Sequence, residues 1–478
     1  MNIVVFLGCV VLLVLGYVWY SRLAEKIYGV NLNKEMPCVS QPDGVDFVPM
    51  PMWKIFLIQL LNIAGLGPVV GAVTGCLFGP AALLWIVLGC IFAGAMHDFL
   101  SAVMSAERGG ANLPELIGTT LGEPMRHLMR VVCIFLLLMV GVVFTLLPAG
   151  MLGNVCAGIP VWGWSLLILG YYFLATILPI NAIIGRVYPF FGMLFVFMAV
   201  GLAVMLPLRG YDLLPNLDVL TNVHPKEIPM WPMLFVTIAC GAISGFHATQ
   251  SPMMVRCLPE MRNVRRVFYG AMVAEGMVAL VWATVGLTLR DVLLENGQTM
   301  VQLTLSNPSV AVYAACRALL GPEGGFIALL GVVVLAVTSG DTAMRSCRLM
   351  LADVVRMKQV RVASRLVLAV PLFLTVIVIS QLDFGVIWRY FGWANQMLAC
   401  ITLWSICAVL RYRRRSCTIA LLPALFMTCM CTTFFLYAPE CGICLSLGVS
   451  TMVGCLVSCA ALLAFARMVR PGAEILPE

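Results

Sequence analysis

Apolar runs of about 20 residues, separated by short stretches that are charged or rich in proline and glycine, repeat along the whole chain. A helix of that length crosses a hydrocarbon layer of roughly 30 Å, and the two-residue alternation of a membrane β-strand is absent. The pattern predicts thirteen crossings, near residues 3–20, 54–77, 81–105, 127–148, 163–179, 187–206, 231–255, 267–289, 325–345, 363–380, 387–410, 417–436 and 442–466. The expected fold is an all-α polytopic membrane protein. The first run has no basic residue ahead of it and no small-x-small cleavage pattern behind it. It passes into Tyr17, Trp19, Tyr20 and Arg22, an interfacial girdle followed by a cytoplasmic anchor, and reads as a retained helix.

Composition agrees: 62% of the 478 residues are hydrophobic, 11% are charged and the mean hydropathy is 1.01, too little polar surface for a chain in water. The net charge of +7 does not form a nucleic-acid patch, because the 29 basic residues fall between the apolar runs. With the N-terminus outside, 24 of them lie inside and 5 outside (Arg209, Lys226, Arg290, Arg317 and Arg389). Lys and Arg favour the cytoplasmic side, so this division predicts an outer N-terminus, an inner C-terminus and a multi-pass place in the cell inner or plasma membrane. The 19 cysteines are scattered through apolar runs without metal or redox spacing, and Cys441 and Cys444 form a loop CxxC that reads as coincidence. No phosphate-binding loop, metal-ligand pattern or nucleophile triad is visible, so neither an enzyme nor a resident cofactor is expected.

Two crossings are interrupted near their centres, by Asn62 to Gly71, with Gly65, Gly67 and Pro68, and by Ala239 to Pro252, with Ser244, Gly245, His247 and Gln250. Pro removes a backbone donor, and unpaired backbone in lipid costs several kcal/mol per group. Such stretches therefore have to face a polar cavity or protein. Gly65 and Gly245 stand 180 residues apart, each in the first helix of a five-helix unit. An odd-numbered unit repeats with opposite sense, the inverted-repeat plan of secondary transporters. The expected organisation is an extra helix and cytoplasmic loop over 1–53, a first repeat over 54–206 and an extracellular connector over 207–230. A second repeat over 231–410 and two further helices with a short cytoplasmic tail over 411–478 complete it.

A half-helix that begins at a break offers free N–H groups and a positive dipole end to a carboxylate. The candidate substrate site is therefore Asn62, Gly65, Gly67, Pro68, Ser244, Gly245, His247 and Gln250, and a bulky side chain at Gly65 or Gly245 is expected to block binding without preventing insertion. Carboxylates inside apolar runs normally pair, face the bundle or take a proton. Asp98, beside His97, and Glu275 and Asp341 are such groups, and Thr338, Ser339 and Thr342 gather oxygen donors around Asp341. The candidate coupling residues are Asp98, Glu275, Thr338, Ser339, Asp341 and Thr342, with Ser339, Asp341 and Thr342 as a candidate sodium site. A proton needs only one carboxylate or histidine, so sodium and proton coupling stay open. Asn395 and Gln396 are expected to be structural, bonded across the bundle.

The stretches Ile63 to Pro68, Ala93 to Phe99, Thr237 to His247, Thr338 to Arg348 and Phe391 to Ala399 resemble the carbon-starvation protein A family. The resemblance implies a five-plus-five inverted repeat of the amino acid, polyamine and organocation transporter group, in a compact form. It also implies uptake of pyruvate, or of short peptides and amino acids. On that reading the two breaks line the substrate site, Asp341 and its hydroxyl neighbours hold a cation, and a proton or sodium gradient drives import by alternating access. The expected partners are the solute and membrane lipid, with no nucleic acid and no obligate protein partner. The reading of a different class is a membrane nutrient receptor that binds the solute and signals through a partner.

Overall fold

Proline and glycine set most of the helix boundaries. The computed structural model describes residues 3–469 apart from 157, 181–183, 216, 217, 219, 220, 295, 296, 383 and 440–442; the side chain of Arg389, the residue Cys441 and the tail from 470 onward lie outside the described residues. The helices are α1 (Ile3–Tyr28), α2 (Met52–Ala64), α3 (Gly67–Phe78), α4 (Ala81–Glu107), α5 (Leu113–Leu121), α6 (Glu123–Val155), α7 (Val161–Ile177) and α8 (Ile184–Leu208). They continue as α9 (Met230–Thr237), α10 (Gly245–Val255), α11 (Met261–Thr288), α12 (Met300–Ser306), α13 (Pro308–Val354), α14 (Val362–Ile379), α15 (Phe384–Tyr412), α16 (Thr418–Tyr437) and α17 (Leu447–Met468). Pro51, Pro160 and Pro229 stand just before α2, α7 and α9 in extended conformation, where a missing N–H costs nothing.

Among the described residues, ten helices are long and apolar enough to cross a membrane, and eleven if the bent pair α2 and α3 counts as one span. Two expected crossings fall short of that measure. α7 has only 17 residues, and α9 and α10 are separated by the non-helical residues 238–244. α13 runs for 47 residues, far more than a membrane needs, because two helical segments join across a break at Gly321, φ 76°. Its far end also reaches beyond the expected residue 345, so Arg345 and Arg348 are buried in a helix instead of lying in a loop.

α2 stops where Gly65 takes φ 44° and ψ −146°, a conformation that only glycine enters without strain. The chain resumes as α3 with a 53° bend. At the far end of α3, Arg290 donates to the carbonyl of Cys76 at 3.0 Å and to that of the loop residue Val223, placing a cation at the C-terminal end of the helix. The bundle centres on α2, α3, α10, α11 and α13, which share one continuous buried core, while α1, α14 and α17 keep broad apolar faces exposed, as lipid-facing helices do. The loops 29–51, 108–112, 256–260 and 355–361 meet at one end, the basic end. There the 29–51 segment is bound to its neighbours by Gln41 donating to the Gly109 carbonyl, Ile180 N–H to the Val45 carbonyl and Met50 N–H to the Cys257 carbonyl.

Candidate functional site

The two interruptions touch. A Cβ placed on Gly67 would lie 2.2 Å from Cys240 Cβ, so α3 and the 238–244 break meet backbone against side chain with no room for more. Around them is a cavity of about 160 Å³, lined by residues that include Gly67, Thr74, Cys240, Trp388, Phe391 and Asn395. It is largely apolar with a few polar groups, the character of a small-solute site, and it is smaller than the roughly 300–1,000 Å³ pockets that hold drug-sized ligands.

The broken backbone on the α9–α10 side is satisfied by α15 and α4. Asn395 Oδ1 accepts from Phe246 N–H at 2.7 Å and from the Ser244 hydroxyl at 3.0 Å, which caps the start of α10 from a neighbouring helix. Gln396 Nε2 donates to the Phe235 carbonyl at 3.1 Å and Trp85 Nε1 to the Ile238 carbonyl at 2.9 Å, closing the end of α9. Replacing Asn395 by Ala removes two bonds to buried donors and should cost about 2–4 kcal/mol, read as a lower unfolding temperature in detergent. Gly245 packs against the same helix, with a Cβ there coming within 2.4 Å of Ala399 N and Asn395 O.

Four titratable side chains form a chain through the centre. A π-helical turn at Cys90–Gly94 leads into His97 and Asp98 on α4. His97 Nδ1 is 2.9 Å from Asp98 Oδ1, His247 Nδ1 on α10 is 2.9 Å from Asp98 Oδ2, and His247 Nε2 is 3.5 Å from Glu275 Oε2 on α11. All four are fully buried. Both rings meet the carboxylate through Nδ1, so with Asp98 ionised each donates that proton, and the other nitrogen of His247 turns to Glu275. Among the described residues, His247 Nε2 and both Glu275 oxygens have no hydrogen-bond partner, and the same is true of Asn62 Nδ2 and Oδ1, Gln250 Oε1 and Asn395 Nδ2. Unsatisfied buried polar atoms are uncommon, and here several belong to the residues beside the two breaks.

Asp341 stands apart from that chain. Its two oxygens accept from Tyr171 and Tyr188, each at 2.7 Å. Ser339 instead donates to the Leu61 carbonyl on α2 at 3.1 Å, the Thr338 hydroxyl lies 3.1 Å from the same carbonyl and 2.9 Å from Val334 O of its own helix, and Thr342 donates to Thr338 O. The candidate ion residues of α13 are thus divided between a hydroxyl pair against α2 and a carboxylate against α7 and α8. Pro68 is buried in the first turn of α3.

At the basic end a cluster with no counterpart among the sequence expectations joins the 29–51 segment to α13. Asp46 Oδ1 accepts from Arg345 Nη1 at 3.0 Å, and Arg348 Nη2 lies 3.4 Å from Oδ2. Burial pushes the Asp46 carboxyl up, and Arg345, Arg348 and Arg256 outweigh it, so its pKa lies below the ordinary carboxylate value. A depressed carboxylate contributes stability above its unfolded value of about 3.9, lost only as pH falls through the lower folded value. The unfolding temperatures of wild type and Asp46→Asn should therefore differ by the same amount at pH 6 and pH 8. Asp46 sits in a polar loop and the arginines at the expected end of a crossing, so hydropathy gives no signal for the cluster.

The family model for carbon starvation protein CstA matches residues 1–163, 159–314 and 315–434. An uncharacterised membrane protein of Haemophilus influenzae is 40% identical over 60% of this chain and 91% of its own. The pyruvate/proton symporter BtsT of Escherichia coli K12 is 28% identical over 55% of this chain and 46% of that one. The peptide transporter CstA of Escherichia coli K12 is 25% identical over 90% of this chain and 80% of that one. Several named relatives are therefore matched over only about half their length. Among solved structures, MhsT in complex with L-phenylalanine aligns with TM-score 0.54 and 14% identity over 87% of this chain and 99% of that one, which shows a shared fold. The interrupted helices, the buried titratable chain and these matches lead to one assignment: this multi-pass membrane protein belongs to the carbon starvation protein CstA family of transporters and is not an enzyme.

Proposed function

We propose that the protein imports a small carboxylate-bearing nutrient, pyruvate first and short peptides or amino acids second, together with a proton. The observation that carries this reading is the buried chain His97–Asp98–His247–Glu275, which joins α4, the broken α10 and α11. With Asp98 and Glu275 both ionised, two negative charges share a low-dielectric interior. One proton held between His247 Nε2 and Glu275 removes one of them, so occupancy by a proton changes the energy of the site strongly. His247 belongs to α10, whose start is part of the break beside the solute cavity, so protonation and solute occupancy act on one mobile element. The names of the two Escherichia coli relatives support the substrate class.

On this reading the chain crosses thirteen times, with α7 and the α9–α10 pair as the two crossings beyond the eleven. Residues 54–206 and 231–410 form the inverted repeats, the basic end is cytoplasmic and the N-terminus is outside. Sodium coupling is the second reading, favoured by the Thr338 and Ser339 hydroxyls that converge on the Leu61 carbonyl. Solute counterflow tests transport itself: purified protein in liposomes loaded with unlabelled pyruvate should draw in labelled pyruvate transiently, and a dipeptide panel should rank below it. A receptor would bind label without exchanging it.

A further inference from the structure

At the basic end, two buried guanidinium groups share one carboxylate. Arg345 is 1% exposed and Arg348 is fully buried, and among the described residues Asp46 is the carboxylate paired with either. The two nearest carboxylates on α13 are engaged elsewhere: Asp341 accepts from Tyr171 and Tyr188, and Asp353 accepts from Asn112 Nδ2 at 2.5 Å. A third arginine, Arg365, is 4% exposed and, among the described residues, donates to the carbonyls of Ile177 and Val360. Among the described residues, the Nε–H of each of the three has no acceptor. Arg345 directs its remaining donors to the carbonyls of Ala175 and Leu178, and Arg348 reaches Gln359 Oε1 at 3.1 Å. The cluster is short of negative charge and of acceptor oxygens.

Asp46 is held there by a loop and not by a helix. Asp43 Oδ1 accepts from the backbone N–H groups of Val45, Asp46 and Phe47 at 2.8 to 2.9 Å, which folds the segment into a turn that points Asp46 at the arginines. Asp46 and Gln359, the two acceptors that Arg348 uses, both line a cavity of about 620 Å³. Removing them from the arginines would open these guanidinium groups to that cavity. The arginines also lie along α13 from the break: Ser339 faces Leu61, and Arg345 and Arg348 follow six and nine residues on, about 9 and 13 Å along the helix.

We propose that Arg345 and Arg348 form a second carboxylate-binding site, on the cytoplasmic exit route, and that Asp46 occupies it as an internal stand-in for the transported carboxylate. The inference rests on the function proposed above, and it names where the solute goes after the central cavity. A guanidinium pair left buried without an anion is costly, whereas exchange of one carboxylate for another keeps the charge balance. The 29–51 segment therefore leaves easily only when an anionic solute takes its place, which ties opening of the cytoplasmic end to the presence of cargo.

Chemical rescue in the full-length protein tests the site with acetate as the probe. Asp46→Ala should unfold at a lower temperature than wild type. Acetate and pyruvate should restore most of that loss at constant ionic strength, and acetamide, similar in shape but neutral, should not. In Asp46→Ala combined with Arg348→Gln the rescue should vanish. Equal restoration by acetamide, or none by acetate, overturns the proposal. Where Asp46→Ala does not yield folded protein, Asp46→Asn takes its place with the same added solutes, and the same results support or overturn the site. In transport, Arg348→Gln should raise the half-saturating pyruvate concentration at the cytoplasmic face about tenfold more than at the outer face, the loss expected for one charge-assisted contact. An equal change at both faces contradicts the exit-site assignment. If pyruvate proves not to be cargo at all, the acetate rescue still reads the anion site, so failure of the site and failure of the proposed function are told apart.

Discussion

Asp98→Asn should abolish proton-driven accumulation of pyruvate while leaving exchange across the membrane within a few-fold of wild type. Asp98 accepts from an imidazole on each of its two oxygens, both at 2.9 Å. An asparagine has one acceptor and one donor in those places, so one of the two rings meets an N–H where it had a carboxylate oxygen. His247 then loses the negative partner that fixes its tautomer and turns its Nε2 toward Glu275. A one-unit pH gradient coupled to one proton supports about tenfold accumulation, and the variant should fall to equal concentrations on both sides. Monodisperse behaviour in detergent separates this loss from misfolding. Full accumulation in a folded Asp98→Asn would remove Asp98 from the coupling.

Gly245→Val should fail at assembly and not selectively at binding. A Cβ at residue 245 would come within 2.4 Å of the backbone N of Ala399 and the backbone O of Asn395, with Leu398 Cβ at 2.6 Å. Backbone of a neighbouring membrane helix cannot step aside as a side-chain end can, and overpacking of this kind costs about 1–3 kcal/mol or more. The same shift would pull α15 from the cap it places on α10. The expected result is little folded protein after extraction. Gly65→Ala meets a different obstacle, a positive φ of 44° with Phe144 at 2.9 Å, which calls for bending of α2. Recovery of well-folded Gly245→Val with weakened solute binding alone would place Gly245 in the binding surface and contradict the packing account.

The breaks were legible because they rest on backbone chemistry that residue identity states directly. Gly65, Pro68 and the run from Cys240 to Ser244 interrupt otherwise apolar segments, and the structure interrupts α2–α3 and α9–α10 at those points. Asn395 and Gln396 were legible too, since two adjacent amides in an apolar run need partners, and they bond the two sides of a broken helix. The partners of Asp341 were not. Tyr171 and Tyr188 sit in long apolar runs where tyrosine also serves as an interfacial residue, and only helix rotation turns them to Asp341. Arg345 and Arg348 look like loop anchors in the sequence for a related reason: hydropathy ends a crossing at the first cation, whereas α13 continues to Val354 with both side chains turned inward. His97 was visible beside Asp98, but its contact through Nδ1 depends on a side-chain geometry that sequence does not carry.

The central claim is that a proton travels with the solute by way of the His97–Asp98–His247–Glu275 chain. The most direct measurement is internal pH, followed with a trapped dye in proteoliposomes without sodium, as pyruvate is added outside with no imposed gradient. The account predicts internal acidification that keeps pace with labelled pyruvate entry at one proton per pyruvate, absent in Asp98→Asn and in protein-free liposomes. Pyruvate entry by the wild-type protein without acidification, or entry that occurs only when sodium is supplied, would contradict it.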